Sequence, residues 1–328
     1  MSISVFGYVV VLTLLLAAGA AAIEWAIQGH GAARHVWSGA IVLSLIAPPA
    51  ALAWHVRTQL HLMSPAGGVS AGALKPIAGS LVGHGVSSAW TILQQALTRA
   101  AGAGLSATFA MGAWILASVV LLGWVGAGAI YWSRASRSWR RSTLDGVDVD
   151  LAPSTGPAVL GVLSHRIVIP EWAVAMPPED RRLVLAHESE HVRSRDPERL
   201  AIAMVALILT PWNVALWWCA ARLRRAIELD CDARVLRIYP DARKYGYVLL
   251  EVAARGRNIG PLAIPMVALL RMPSDLERRL RAISRPHSSE RRTAVVGALS
   301  VAVLASVAFT TPVPLLRPIV SFTSSASA

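Results

Sequence analysis

The stretch LAHESEHVRSRD holds His187, Glu188 and His191 in the pattern His-Glu-x-x-His. Positions four apart on a helix lie one turn apart on one face, so the two imidazoles can grip a single metal ion. Glu188, next to the first histidine, can act as general base on a water held at that ion, as in the zinc peptidases. So short a pattern also arises by chance, and its context has to decide. A catalytic zinc takes a third protein ligand. Downstream, AIELDCDARVL places Glu228 and Asp232 four positions apart, again on one helix face. Glu228 can complete a His, His, Glu set. Asp232, one turn on, can accept the second N–H of a ligand imidazole and fix its tautomer. Alternatively, Glu228 and Asp232 only pair with Arg224, Arg225 and Arg234.

Helices must bring these residues together. Pro177, Pro178, Glu179 and Asp180 suit a first helical turn, and Leu183, Val184, His187, Glu188 and His191 keep helical spacing to about Ser194. Upstream, GVDVDL alternates and PAVLGVLSHRIVIP gives two β-rich runs split near Ser164, which predicts an edge hairpin or small sheet. Between the two motifs lies an apolar run, Leu200 to Ala220, long enough to cross a membrane. A single crossing would put Glu228 on the far side from His187 and His191, whereas zinc ligands lie within about 2 Å of one ion. Pro211, flanked by Thr210, Trp212 and Asn213, can instead break the run into an interfacial or re-entrant hairpin. Trp212, Trp217 and Trp218 suit a membrane interface. Arg193, Arg195 and Arg199 before the run, with Arg222, Arg224 and Arg225 after it, make both flanks cytoplasmic in character.

Composition points the same way. The chain has 328 residues, 55% of them hydrophobic and only 15% charged, against about a quarter charged in a soluble protein. Ile3 to Ile23, Val36 to Trp54 and Ala107 to Trp132 are long enough to span a bilayer, and the shorter Ala294 to Phe309 reaches if its flanks contribute. The first run lacks the basic start of a signal peptide and reads as a retained anchor. A net charge of +12 would suggest nucleic acid in a soluble protein, but here the arginines flank apolar runs and report topology. Arg134, Arg137, Arg140 and Arg141 follow the third run, and six arginines from Arg278 to Arg292 precede the fourth, which puts the segment between them in the cytoplasm and the N-terminus outside. The Gly- and Ser-rich outer segment ends in residues 86–101, which can form an amphipathic surface helix or stay a loop. Cys219 and Cys231 are too isolated for a Cys-x-x-Cys site and read as reduced, buried packing residues.

These expectations describe an α-helical polytopic membrane protein with a cytoplasmic α+β zinc metallopeptidase domain. Residues 1–143 carry three spans, 144–292 the domain with its apolar hairpin at about 200–220, and 293–328 the fourth span and a short outer tail.

The series GVLSHRIVIPEW, LAHESEHVRSRDPERL, TPWNVALWWCAARLRRAIELDCDARVL, KYGYVLLEVA and LERRLRAIS resembles the cytoplasmic metallopeptidase domain of the BlaR/MecR family, the membrane sensor-transducers of β-lactam resistance. The resemblance covers about Val159 to Arg285 and rests on His-Glu-x-x-His, Trp-Asn with apolar flanks and Glu-x-x-Cys-Asp-Ala in combination. It implies a gluzincin-like fold with Zn2+ on His187, His191 and Glu228, and Glu188 as catalytic base. It also implies site-specific cleavage of a cytoplasmic protein, a transcriptional repressor or the transducer itself. The expected partners are the lipid bilayer, that substrate and a second copy in a homodimer, with no direct nucleic-acid contact. One departure is plain: only about twenty residues follow the fourth run and there is no Ser-x-x-Lys motif, so no extracellular penicillin-binding sensor domain is expected. A housekeeping membrane quality-control zinc protease and a non-catalytic zinc-binding signalling protein are the alternatives, and Glu188 argues against the latter. Tyr239, Tyr245, Tyr247, His165 and nearby arginines are oxyanion candidates by type alone. The polar linker Ser284 to Thr293 is a candidate for self-cleavage.

Overall fold

The computed structural model describes residues 3–27, 30–62, 107–153, 155–255 and 275–284. It opens with three long helices, α1 (Ile3–Ile27), α2 (His30–Leu62) and α3 (Ala107–Ala135). Gly7–Ala26 in α1 and Phe109–Ser138, which runs through α3 into the turn after it, are long and apolar enough to cross a membrane. The second expected span, 36–54, falls inside α2. The fourth, 294–309, and the surface helix considered at 86–101 lie outside the described residues, as does the linker after Ser284. α1 and α2 bury Leu12, Leu16, Trp37 and Ile41 between them. α3 differs: Phe109, Leu116, Val119 and Val120 are all exposed. Apolar side chains turned outward along a whole helix suit lipid rather than water.

A turn at Ser136–Ser138 leads into a small mixed sheet of β1 (Arg140–Leu144), β2 (Val147–Ala152), β3 (Ala158–Leu160) and β4 (Arg166–Pro170), in the order β1-β2-β4-β3. The alternation in GVDVDL becomes β2, and the two β-rich runs split near Ser164 become the antiparallel pair β3 and β4. β2 and β4 run parallel. β1 was not expected, because Arg140 and Arg141 read as a membrane flank; it forms because Asp145 and Gly146 take φ of 50° and 84° and turn the chain back onto it. At the β3–β4 turn Gly161 has φ of 92°, and a Cβ there would lie 2.1 Å from the Ser164 carbonyl oxygen. Only glycine fits.

After a short helix α4 (Glu171–Val174) come α5 (Pro178–Arg193), α6 (Asp196–Leu209), α7 (Val214–Ile238), α8 (Ala242–Arg255) and α9 (Asp275–Ile283). Pro178 opens α5, with Glu179 and Asp180 in its first turn. The apolar run of residues 200–220 is not one helix. It breaks at Thr210–Asn213, and α6 and α7 pack against each other as a hairpin. Pro211 lacks an N–H to continue α6, and the polar groups of the break find partners. Asn213 accepts from the Leu216 N–H at 3.3 Å, capping α7, and donates to Thr13 Oγ1 of α1 at 2.9 Å. Trp114 of α3 donates to the Leu209 carbonyl at 2.8 Å. The hairpin therefore sits among α1, α2 and α3, and its two ends return to one side.

Two apolar cores result. One joins α1, α2, α6 and the first half of α7; the other joins the sheet, α5, α8, α9 and the end of α7. Between them lies a layer of buried charged and polar side chains: His187, Glu188, Glu190, His191, Asp196, Asp230, Asp232 and Arg234.

Candidate metal centre

α5 carries His187, Glu188 and His191 into this layer, and α7 crosses it with Glu228, Cys231 and Asp232. The two histidine rings stand edge to face with their Nε2 atoms 3.2 Å apart. Glu228 Oε2 lies 3.7 Å from His187 Nε2. The predicted ligands are thus together, and the protons on their rings can be assigned from their partners. His191 Nδ1 is 2.9 Å from Asp196 Oδ2, and a carboxylate only accepts, so Nδ1 carries the proton. His187 Nδ1 is 2.9 Å from the Tyr245 hydroxyl, whose own proton goes to Asp232 Oδ1 at 2.7 Å. That hydroxyl oxygen accepts from Nδ1–H. The Arg279 guanidinium, which can only donate, approaches His187 Nε2 at 3.4 Å. In their neutral forms both rings therefore present Nε2 lone pairs to one point.

Two lone pairs facing across 3.2 Å repel unless positive charge lies between them, a proton shared by the two nitrogens or a metal ion. Tetrahedral zinc with Zn–N of about 2.0–2.1 Å sets its nitrogen ligands roughly 3.3 Å apart, so the observed spacing fits the ion. The electrostatics agree. Burial works against a charged His191, but its hydrogen bond to Asp196 and the charges of Glu228 and Glu188 outweigh that and raise it above the ordinary histidine value. The field at this point favours positive charge.

Glu188 is buried, and burial pushes its carboxyl above the usual range, partly offset by His187 and His191. Glu228 goes the other way. Burial alone would raise it, but Arg279, with Nη1 2.9 Å from Oε2, and the two histidines hold it well below the usual range. Arg279 also forks onto Asp232, at 2.8 Å through Nε and 2.7 Å through Nη2. Asp232, expected to take the second N–H of an imidazole, does so through Tyr245; its own oxygen is 3.6 Å from His187 Nδ1. The carboxylate in direct contact with a ligand ring is Asp196.

Cys219 and Cys231 are both buried free thiols. Cys231 brings its sulfur within 4.8 Å of ligand atoms of His187 and His191, a cluster able to hold a metal by distance alone. The ring edge argues otherwise: Sγ lies 3.3 Å from Nδ1 of His187, opposite the Nε2 shared with His191, and it donates to the His187 carbonyl. Burial, then Asp232, Glu228 and Glu188, raise its pKa well above the ordinary value and keep it a thiol.

Asp196, Tyr245 and Arg279 were not read from the sequence in these roles. Asp196 precedes Pro197 at the start of α6 and looks like a helix opening. Tyr245 was an oxyanion candidate by type, but its hydroxyl is committed to Asp232 and His187. Arg279 is one of several arginines in LERRLRAIS and gives no local signal. Among the other oxyanion candidates, Tyr239 and Tyr247 are exposed and His165 pairs with Glu198 at 3.2 Å. Tyr245→Phe removes the bridge between His187 and Asp232, and is expected to weaken zinc binding about 10- to 100-fold while the fold survives. Competition against a chromogenic chelator measures it, and unchanged affinity would show that the hydroxyl does not orient His187.

The family model described as BlaR1 peptidase M56 matches residues 35–283, more than half of the chain and all of the residues just described. No curated protein and no solved structure matches it.

Proposed function

The chain belongs to the BlaR1 peptidase M56 family, and on that premise we propose that it is a membrane-embedded zinc endopeptidase that cleaves a cytoplasmic protein, a transcriptional repressor or a copy of itself, in signal transduction. The observation that carries this is the convergence of two Nε2 lone pairs beside a buried glutamate, Glu188, that is not needed to hold the ion. A purely structural zinc site closes its fourth position and needs no base.

His187, His191 and Glu228 would hold the zinc, which would supply an acidified water and polarise the scissile carbonyl. Glu188 takes the water's proton and delivers it to the leaving amine, a task suited to a carboxyl whose pKa is raised by burial. Asp196 and Tyr245 keep the protons on the Nδ1 atoms, so both Nε2 atoms stay available. Arg279 keeps Glu228 ionised. β3 lies at the sheet edge and packs on α5, so its outer edge can take an extended substrate as an added strand.

The bilayer is the setting we assign. α1 and α3 have the length and apolar character to cross it, α3 is apolar on its exposed faces, and the α6–α7 hairpin packs among α1, α2 and α3. The arginine flanks make the side that carries the site cytoplasmic, with the N-terminus outside. A homodimer and the absence of direct nucleic-acid contact belong to the same proposal.

Metal analysis of the purified full-length chain tests the centre. About one equivalent of zinc per chain is expected, lost when His187→Ala and His191→Ala are combined. A zinc-free wild type, or full retention in the double variant, overturns it.

A further inference from the structure

The buried charged layer extends past the metal ligands to α2. Arg34, in the second turn of that helix, places Nη1 2.9 Å from Asp230 Oδ2 and 3.5 Å from Asp196 Oδ1. Asp196 is the carboxylate whose other oxygen holds His191 Nδ1 at 2.9 Å. Asp196 and Asp230 are 1% and 2% exposed, so water does not neutralise them. Arg234 lies on their other side, pairing with Asp230 and Glu190 and standing 3.5 Å from Asp196 Oδ2. Arg199 is more distant, at 3.9 Å from Asp196 Oδ1, and faces His35 at 3.4 Å. Two buried carboxylates from α6 and α7 thus share two close guanidinium groups. One of these is rooted in the peptidase fold and the other in a membrane-region helix.

We propose that Arg34 is a positioning residue of the metal centre: it fixes the Asp196 carboxylate that orients His191, and so joins α2 to the ligand set. The inference rests on the zinc reading above. Removing Arg34 takes away the nearer of the two cations at Asp196 Oδ1, leaving Arg199 at 3.9 Å there and Arg234 at 3.5 Å from Oδ2, so the balance of charges that sets the carboxylate's angle changes. His191 then loses a fixed acceptor at Nδ1. The geometry is also sensitive to where α2 sits. One residue of helix rise is about 1.5 Å, enough to part both the 2.9 Å contact with Asp230 and the 3.5 Å contact with Asp196. A shift of α2 along its axis therefore reaches His191 through two contacts.

A second ion pair between the membrane helices and α7 provides the control. Arg222 pairs with Glu24 of α1 and lies over the rings of Trp37 and Trp218 at 5.4 and 5.7 Å. It anchors the helices just as Arg34 does but, among the described residues, pairs with no partner of a proposed metal ligand. Arg34→Met, Arg34→Lys and Arg222→Met are made in the full-length chain in detergent or nanodiscs. Each is titrated with zinc against a chelator and with cobalt for its visible spectrum, and its melting temperature is recorded. Arg34→Met is expected to weaken zinc binding about tenfold, the low end of the usual loss for a residue behind a ligand, and to shift the cobalt spectrum. Arg34→Lys keeps the charge and is expected to restore most of both, while Arg222→Met lowers the melting temperature and leaves affinity and spectrum unchanged. Wild-type affinity in Arg34→Met, or equal losses in Arg34→Met and Arg222→Met, overturns the coupling but leaves the metal centre standing. Should Arg34→Met fail to fold, Arg34→Gln takes its place: a shifted cobalt spectrum in that variant supports the proposal and a wild-type spectrum overturns it. A wild type that binds neither ion overturns the metal centre itself and the coupling with it.

Discussion

Replacing Glu188 by alanine is expected to reduce peptide cleavage by about 10²- to 10⁴-fold, the usual contribution of a positioned general base, while zinc content stays at the wild-type level. The two readouts are expected to separate because the ring protons are held by Asp196 and Tyr245, and Glu228, 3.7 Å from His187 Nε2, is the third ligand proposed. Glu188 only has to move a proton. The substrate need not be known in advance: wild type and Glu188→Ala are expressed in the native host and the N-termini of all cytoplasmic fragments are compared. Fragments present only with the wild type identify the target, and a cut within residues 284–293 among them identifies self-processing. Identical fragment sets in the two strains, with both proteins folded and loaded with zinc, would mean that the centre does not hydrolyse peptides there.

How much of this could be read from the chain depended on whether the relevant contacts were local. His187, Glu188 and His191 announce themselves because one helical turn fixes their relation, and α5 starts where Pro178, Glu179 and Asp180 predict. The break at Pro211 was legible for a different reason. Zinc requires Glu228 to return to the side of His187, and proline is the residue able to turn the run there. What stabilises the break was not legible, since Thr13 and Trp114 come from helices distant in sequence. The same holds for the partners of the histidines. Asp196 is close in the chain, but its approach to His191 depends on the left-handed φ of 53° at Arg195, which swings α6 back beneath α5. No residue preference at Arg195 announces that turn; it is held by the contacts that Asp196 makes afterwards. β1 was hidden by its own composition, because arginines beside a membrane span look like topology whether or not they also form a strand.

Arg279 gives the sharpest case of a distant contact with a large energy. In the absence of zinc its guanidinium is, among the described residues, the closest positive charge to both Glu228 and Asp232. Asp232 is sealed from solvent and Glu228 keeps a little exposure, with side chains 3% and 22% accessible. Breaking a buried pair by removing one partner costs about 3–5 kcal/mol, and the residual exposure of Glu228 points to the low end, about 3 kcal/mol. Arg279→Met, which keeps the apolar stem of the side chain but not its charged guanidinium, is therefore expected to destabilise the zinc-free protein by that amount. Zinc changes the balance. A divalent ion on Glu228 restores positive charge beside the two carboxylates, so most of the deficit should vanish when zinc is saturating, and zinc should raise the stability of the variant by more than that of the wild type. Denaturant unfolding with excess chelator and with excess zinc measures both differences. If the variant is equally destabilised in both conditions, Arg279 acts through its packing, and its charge does not substitute for the metal.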